Sequence, residues 1–437
     1  MSARRCALDA LIACRKNGAW SNGVLKIAIS KALLDSRDAA LASQLCYGVL
    51  QNRNFLDFHL KQLLTGKLKD LHPVIRDILH MGLYQIYLLD KIPDSAAVNE
   101  SVELAKKYCA KQRFAPGLVN GVLRSAVRTK GTLKAPQALA DRYSHPQVLI
   151  DLLKDSVGED RLEGMLKANN AAPETVIQVN TLRLSAKELL EELTREGVAA
   201  TVHPWMQDCL VLKHTGNLEK LSAFQNGLFY VQDPAAKLSI SCIPFPENAR
   251  VLDCCAAPGG KSFAAGIALQ GKGSIISCDV HEHKLELIQR GAQRLGLSQI
   301  TARLQDATLG VDAWEQQMDV VIADVPCSGY GIIRKKPDIR EKDPREMEQL
   351  PQLQLEILRR QATYVKPGGV LLYSTCTLLK RENEDVVQRF LKENDAFHPE
   401  KLQLPASFPE NATGMLTLVP GEYDTDGFFI CLLRRRS

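Results

Sequence analysis

The sequence predicts an α/β protein: an open parallel sheet with an antiparallel C-terminal edge, preceded by an all-α domain and a small α/β subdomain. Three observations carry this. Over about the first 135 residues, apolar side chains recur at helical spacing without strand-like alternation. From Ala249 onward, short apolar runs alternate with helical stretches, the pattern of a parallel sheet covered on both faces. The last two apolar runs have no helix between them, so they pair antiparallel.

In the all-α domain, residues 1–140, Leu8, Leu11 and Ile12 share one helical face. So do Leu41, Leu45 and Val49, then Ile75, Ile78, Leu79 and Ile86, then Leu118, Val119 and Val122. Pro73, Pro93 and Pro116 mark helix starts or breaks. Residues 141–170 form a helical linker. The small α/β subdomain spans 171–235, with strands at 176–180, 209–212 and 228–231 and a helix at 186–196. The catalytic domain spans 236–437. Its strands fall at 251–252, 274–278, 300–304, 320–323 and 370–373, its helices at 283–295 and 346–365, and its last strands at 415–418 and 428–433.

Composition narrows the class. A chain of 437 residues implies two or three domains, and 45% hydrophobic with 24% charged residues is ordinary globular composition. No stretch approaches the ~20 apolar residues of a membrane span. Met1-Ser2-Ala3-Arg4-Arg5 leads into polar, amphipathic sequence rather than the apolar core of a signal peptide, so a soluble cytoplasmic protein is expected. None of the 12 cysteines forms a C-x-x-C pair, which argues against a zinc site; no metal is expected, nor a disulfide framework. A monomer is expected. Residues 1–140 hold 21 Lys and Arg against 10 Asp and Glu, an excess of +11, while the remainder holds 34 against 40. A basic front suits a polyanionic partner. A merely solvated basic surface fits the charge equally well.

Ligands of an open parallel sheet sit beyond the carboxyl ends of its strands. The loop Asp253-Cys254-Cys255-Ala256-Ala257-Pro258-Gly259-Gly260-Lys261 stands at such an end. Its small residues let the backbone approach a ligand, and the next helix offers free N–H groups. It lacks the G-x-G-x-x-G of dinucleotide-binding enzymes, and Cys255 occupies the position where a P-loop needs its first glycine. Asp279 lies 19 residues beyond Gly260, the spacing of a ribose-binding acid, although it could instead cap the helix from His281. Asp306 is either an acceptor for an adenine amino group or a turn residue. Asp324 is the fourth strand-end acid. Together they imply an adenosine-type cofactor.

Asp324-Val325-Pro326-Cys327-Ser328-Gly329 and Tyr373-Ser374-Thr375-Cys376-Thr377 place two cysteines at the same sheet edge. Strand-end loops seldom need cysteine for packing, and a stabilised thiolate is a nucleophile. Thiolate addition at C6 of a pyrimidine makes C5 enamine-like and able to accept an electrophilic methyl group, with a carboxyl group near N3 supporting the addition.

These motifs resemble those of the NOL1/NOP2/Sun RNA cytosine-5 methyltransferases. Val179-Asn180-Thr181-Leu182-Arg183, Val231-Gln232-Asp233-Pro234 and Asp426-Gly427-Phe428-Phe429 extend the likeness from about residue 175 to the C-terminus. The resemblance implies a Rossmann-like domain binding S-adenosyl-L-methionine through Cys254, Cys255, Ala256, Ala257, Pro258, Gly259, Gly260, Asp279, Asp306 and Asp324. It implies Cys376 as nucleophile, Cys327 as the group that assists release and Asp324 as a catalytic partner. Lys261 and Arg334 would contact cofactor or RNA. In the DNA cytosine methyltransferases the nucleophile sits in a Pro-Cys loop, which would make it Cys327. Ala97–Val102 and Phe114–Arg124, with Arg4 and Arg5, resemble a NusB-like RNA-binding domain. That fusion resembles the bacterial ribosomal members of the family and implies a cytosine of 16S rRNA as substrate, at position 967 in rRNA numbering. Two other readings are an RNA-binding protein with an inert methyltransferase fold, which would be expected to lose the cysteines or the glycine loop, and an amino-group methyltransferase, which would carry an aromatic residue where Cys327 stands.

Overall fold

The structure, a computed structural model, describes residues 2–17, 20–213, 215–409 and 413–437; Met1 of the N-terminal reading lies outside them. The chain forms two compact units, Met1–Asp155 with Ile333–Lys342, and Ser156–Ile332 with Asp343–Ser437.

The first unit is helical throughout, as its periodicity predicts. Its main helices are Ala3–Asn17, Ser21–Ala32, Ser36–Gln51, Arg53–Leu63, Pro73–Leu88, Asp94–Tyr108 and Ala115–Arg128. Leu8, Leu11, Leu45, Val49, Ile75, Ile78, Leu79, Val119 and Val122 enter one core, with Ile12, Leu41 and Leu118 packed at its margin. Pro73 starts the central helix, where a missing N–H costs nothing. The segment Ile333–Lys342, separated in sequence from the rest of the unit, is held by polar contacts. Buried Arg340 donates to the carbonyls of Gln51 (2.7 Å) and Ser144 (2.8 Å). Arg53 pairs with Glu341, and Lys342 Nζ lies 3.6 Å from the centre of the Trp20 ring.

The second unit holds two sheets. The smaller consists of β1 (Thr175–Val179), β2 (Ala199–His203), β3 (Met206–Lys213) and β4 (Phe229–Val231), antiparallel in the order β2-β3-β1-β4. Alternation along it makes two faces. Ile177, Val179, Leu210 and Leu212 pack under Leu189 and Leu193 of the helix Ala186–Arg195. Val176, Cys209, Val211 and Tyr230 enter the core of the larger sheet.

The larger sheet comprises β5 (Arg250–Asp253), β6 (Ser274–Asp279), β7 (Ile300–Leu304), β8 (Met318–Asp324), β9 (Val365–Thr375), β10 (Phe397–Pro399), β11 (Met415–Leu418) and β12 (Phe428–Arg435). Its order is β10-β12-β9-β8-β5-β6-β7, with β11 also on β12; β5 to β9 are parallel, and β12 runs antiparallel to β9. Val251, Ile275, Val320, Ile322, Val370 and Leu372 point to one core, Leu252, Cys278, Val321, Ala323, Leu371 and Tyr373 to the other. Burial on both faces is why these strands read as continuous apolar runs.

The long helix expected over 346–365 is shorter. It spans Leu350–Ala362, with Pro351 in its first turn; Glu346 lies in a 3-10 turn begun by Pro344, and Val365 already belongs to β9.

Candidate active site

The predicted residues other than Arg334 converge on the carboxyl edge of the parallel strands. Asp253, Asp279 and Asp324 are the last residues of β5, β6 and β8, and Asp306 lies two beyond β7. Cys376 follows the last residue of β9.

Beside these ends lies a cleft of about 310 Å³ lined by Cys254, Cys255, Asp279, Asp306 and Pro326. The sequence reading missed Val280, Lys284, Thr308, Leu353 and Ile357 on its wall. Val280 carried a signal, an apolar residue directly after a strand-end acid, and it is 56% exposed. Asp279 Oδ1 accepts from the His281 N–H (3.0 Å), and Lys284 Nζ lies 3.7 Å away. The helix Glu282–Leu295 has His281, not Asp279, at its N-cap. Asp306 is a turn residue and also faces the cleft; its Oδ1 accepts from both the backbone and the hydroxyl of Thr308.

Ala256, Ala257, Pro258, Gly259 and Gly260 form the turn from β5 into the helix Gly260–Ala268. Gly259 has φ +111°, and a Cβ there would meet the Phe263 ring at 2.4 Å, so glycine is required. Beneath the turn, Asp253 is fully buried and accepts from Ser262 Oγ (2.7 Å). Burial pushes its carboxyl up to about 7, against the Ser262 bond.

The sulfurs of Cys327 and Cys376 are 3.3 Å apart, both half-buried and both free. Contact with Cys376, then burial, then the charges of Glu382 and Asp324 push the Cys327 thiol well up. Either sulfur can donate to the other. Asp324 accepts from Lys261 Nζ at Oδ2 (2.6 Å) and from Ser374 Oγ at Oδ1 (2.9 Å). Lys261 is thus paired with a carboxylate, and its Nζ also lies 5.0 Å from the centre of the Phe428 ring. Arg334 belongs to the segment that packs with the first unit. Among the described residues no group of three or more His, Cys, Asp or Glu could hold a metal, and no helix is long and apolar enough to cross a membrane.

Comparison with known proteins agrees with this fold. The profile described as 16S rRNA methyltransferase RsmB/F matches residues 242–434, the NusB family 1–128, and the RsmF/B-like ferredoxin-like domain 145–219. The probable ribosomal RNA small subunit methyltransferase B of Bacillus subtilis is 37% identical over 446 residues, covering 100% of this chain and 99% of that protein. Its Yersinia pseudotuberculosis counterpart is 34% identical over 400 residues, covering 91% and 90%. Among solved structures, PH0851 shares the fold at a TM-score of 0.82 with 24% identity, covering 99% of this chain and 98% of the other. NSun6 from Pyrococcus horikoshii with SFG shares it at 0.59 with 21% identity, covering 67% and 98%.

Fold and site thus define an S-adenosylmethionine-dependent methyltransferase with a NusB-like helical domain and a ferredoxin-like domain in front. The chain belongs to the ribosomal RNA small subunit methyltransferase B family.

Proposed function

We propose that this enzyme methylates C5 of one cytosine in 16S rRNA through a covalent adduct between Cys376 and C6 of the base. The observation that carries the reading is the thiol pair, 3.3 Å apart, beginning one residue beyond Pro326 on the cleft wall. One thiol suffices for packing or for alkyl transfer; two at one strand edge fit attack followed by elimination.

The cleft fits the cofactor. Asp279 and Asp306 would accept from ribose hydroxyls and an adenine amino group, Val280 would cover the base, and the Cys254–Gly260 turn would lie against the amino-acid portion. S-adenosylmethionine supplies an electrophilic sulfonium methyl that C5 takes up. Cys376, as thiolate, adds to C6 and makes C5 nucleophilic. Asp324, held by Lys261 and Ser374, faces N3 and the amino group and stabilises the addition. Once C5 is methylated, Cys327 as thiolate takes the C5 proton, the C5–C6 double bond reforms, and the Cys376–C6 bond breaks to return Cys376 as thiolate.

The relatives' names and the +11 excess of residues 1–140 support 16S rRNA as substrate, gripped by the helical domain, with 141–170 as linker and 171–235 as a second RNA-contacting element. In this reading the working unit is a monomer. A ribosomal substrate supports a cytoplasmic location. The test is bisulfite sequencing of 16S rRNA from a strain lacking the gene and from its complement. A single cytosine should lose protection in the first and regain it in the second; unchanged protection overturns the reading.

A further inference from the structure

Two consecutive residues, Glu382 and Asn383, each bracket one of the two cysteines. Glu382 Oε2 accepts from the Ser328 N–H (2.9 Å) and from the Gln354 side-chain amide (3.0 Å). The same Gln354 nitrogen donates to the Pro326 carbonyl (2.9 Å). The residue after Cys327 is thus held by Glu382 directly, and the residue before it through Gln354. Asn383 Oδ1 accepts from Thr375 Oγ1 (2.6 Å), and its amide nitrogen donates to the Thr377 carbonyl (3.1 Å). The residues before and after Cys376 hang on one amide. The hydroxyls of Ser328 and Thr377, 2.7 Å apart, join the two brackets.

Glu382 is fully buried, and its Oε1 has no hydrogen-bond partner among the described residues. A buried carboxylate is costly, and apolar packing of similar volume is commonly as stable. Asn383 stands at the N-cap of the helix Glu384–Glu393, where asparagine is among the best capping residues, yet its side chain caps nothing. It is turned to the Cys376 loop instead.

We propose that Glu382 and Asn383 are positioning residues that divide the reaction: Asn383 sets Cys376 for attack on the base, and Glu382 sets Cys327 for release. The inference rests on the assignment of attack to Cys376 and release to Cys327. Neither residue touches the base; each acts through the loop it holds.

The test begins with methyl transfer by the full chain to 16S rRNA. If the wild type makes no 5-methylcytosine, the functional reading fails, not this inference. With an active wild type, Asn383→Ala should lose kcat on the order of 100-fold, the effect of a misplaced reacting group, and form little covalent protein–RNA species. Glu382→Ala should lose a similar factor but accumulate that species on denaturing gels. Glu382→Gln keeps an oxygen facing Ser328 and Gln354 and puts its NH2 where Oε1 stands, so it should recover most of the lost kcat. Cofactor affinity by calorimetry should stay at the wild-type value in all three. Should an alanine variant fail to fold, Gln354→Met removes the bonds to Pro326 and Glu382 from another helix, and it must show slowed release with accumulated adduct. Wild-type kcat in the alanine variants, equal adduct levels in both, a Glu382→Gln no better than Glu382→Ala, or wild-type behaviour in Gln354→Met would each overturn the proposal.

Discussion

Lys261 Nζ lies 2.6 Å from Asp324 Oδ2, joining the glycine-rich turn to the catalytic strand end across 63 residues of sequence. The lysine side chain is 10% exposed, so solvent screens this pair weakly. Two groups that act as one unit give non-additive effects when removed. Lys261→Met and Asp324→Asn should each lower kcat/KM, and the double variant should lose less than their sum, by a coupling of about 1–3 kcal/mol. Additive losses in the double-mutant cycle would separate the two roles.

Asp279 faces the cleft with a side chain only 9% exposed. If it accepts from ribose hydroxyls, Asp279→Ala should weaken S-adenosylmethionine binding by roughly 1.5–3 kcal/mol, the worth of hydrogen bonds to a charged group. Calorimetry reads this directly. Unchanged affinity in a folded variant would remove Asp279 from the site.

Much of this was legible before any coordinates. Runs such as 320–323 are apolar because β8 is covered on both faces, and the acids stand out because they end those runs. The unread parts have physical reasons. β2 is largely exposed and carries no apolar alternation, and β10 is three residues long. Nothing in a 3.6 or 2.0 period marks Arg340, whose burial is met by the carbonyls of Gln51 and Ser144, 289 and 196 residues away. Glu382 was invisible for the same reason, since it meets a backbone N–H 54 residues distant. Hydrogen bonds to remote backbone leave no pattern in the sequence.

The buried Asp253 carboxyl, raised to about 7, gives a stability dependence of definite sign. Its unfolded value is the ordinary ~3.9. The native state therefore holds the proton more tightly, and the contribution is fully present below about pH 4 and lost as pH rises through about 7. Asp253→Asn cannot ionise, yet keeps an oxygen for Ser262. Urea denaturation of the two proteins between pH 5 and 8 should show the variant gaining on the wild type as pH rises. A difference independent of pH would mean that Asp253 is ionised throughout.

Lys107, Lys111 and Arg113 are exposed at and just beyond the C-terminal end of the helix Asp94–Tyr108. If the basic first unit grips RNA phosphates, replacing all three by Gln should weaken rRNA binding and flatten its dependence on salt. Each lost phosphate contact reduces the slope of log K against log salt by roughly 1. Cofactor affinity should not change. An unaltered slope would exclude this stretch from the RNA-binding surface.

The sharpest test separates the two thiols. Cys376 is assigned attack and Cys327 release, and the two sulfurs lie 3.3 Å apart. Cys376→Ala should then be inactive and form no covalent species with RNA. Cys327→Ala should still attack but release slowly, leaving a protein–RNA adduct that survives denaturing electrophoresis. The contact between the sulfurs makes packing damage a competing cause of inactivity, so thermal unfolding and cofactor binding must match the wild type in both variants. With that established, an adduct in Cys376→Ala and none in Cys327→Ala would transfer the attack to Cys327. Full activity in Cys376→Ala would remove the covalent mechanism as written, since among the described residues Cys327 would be the one remaining thiol in contact with that position.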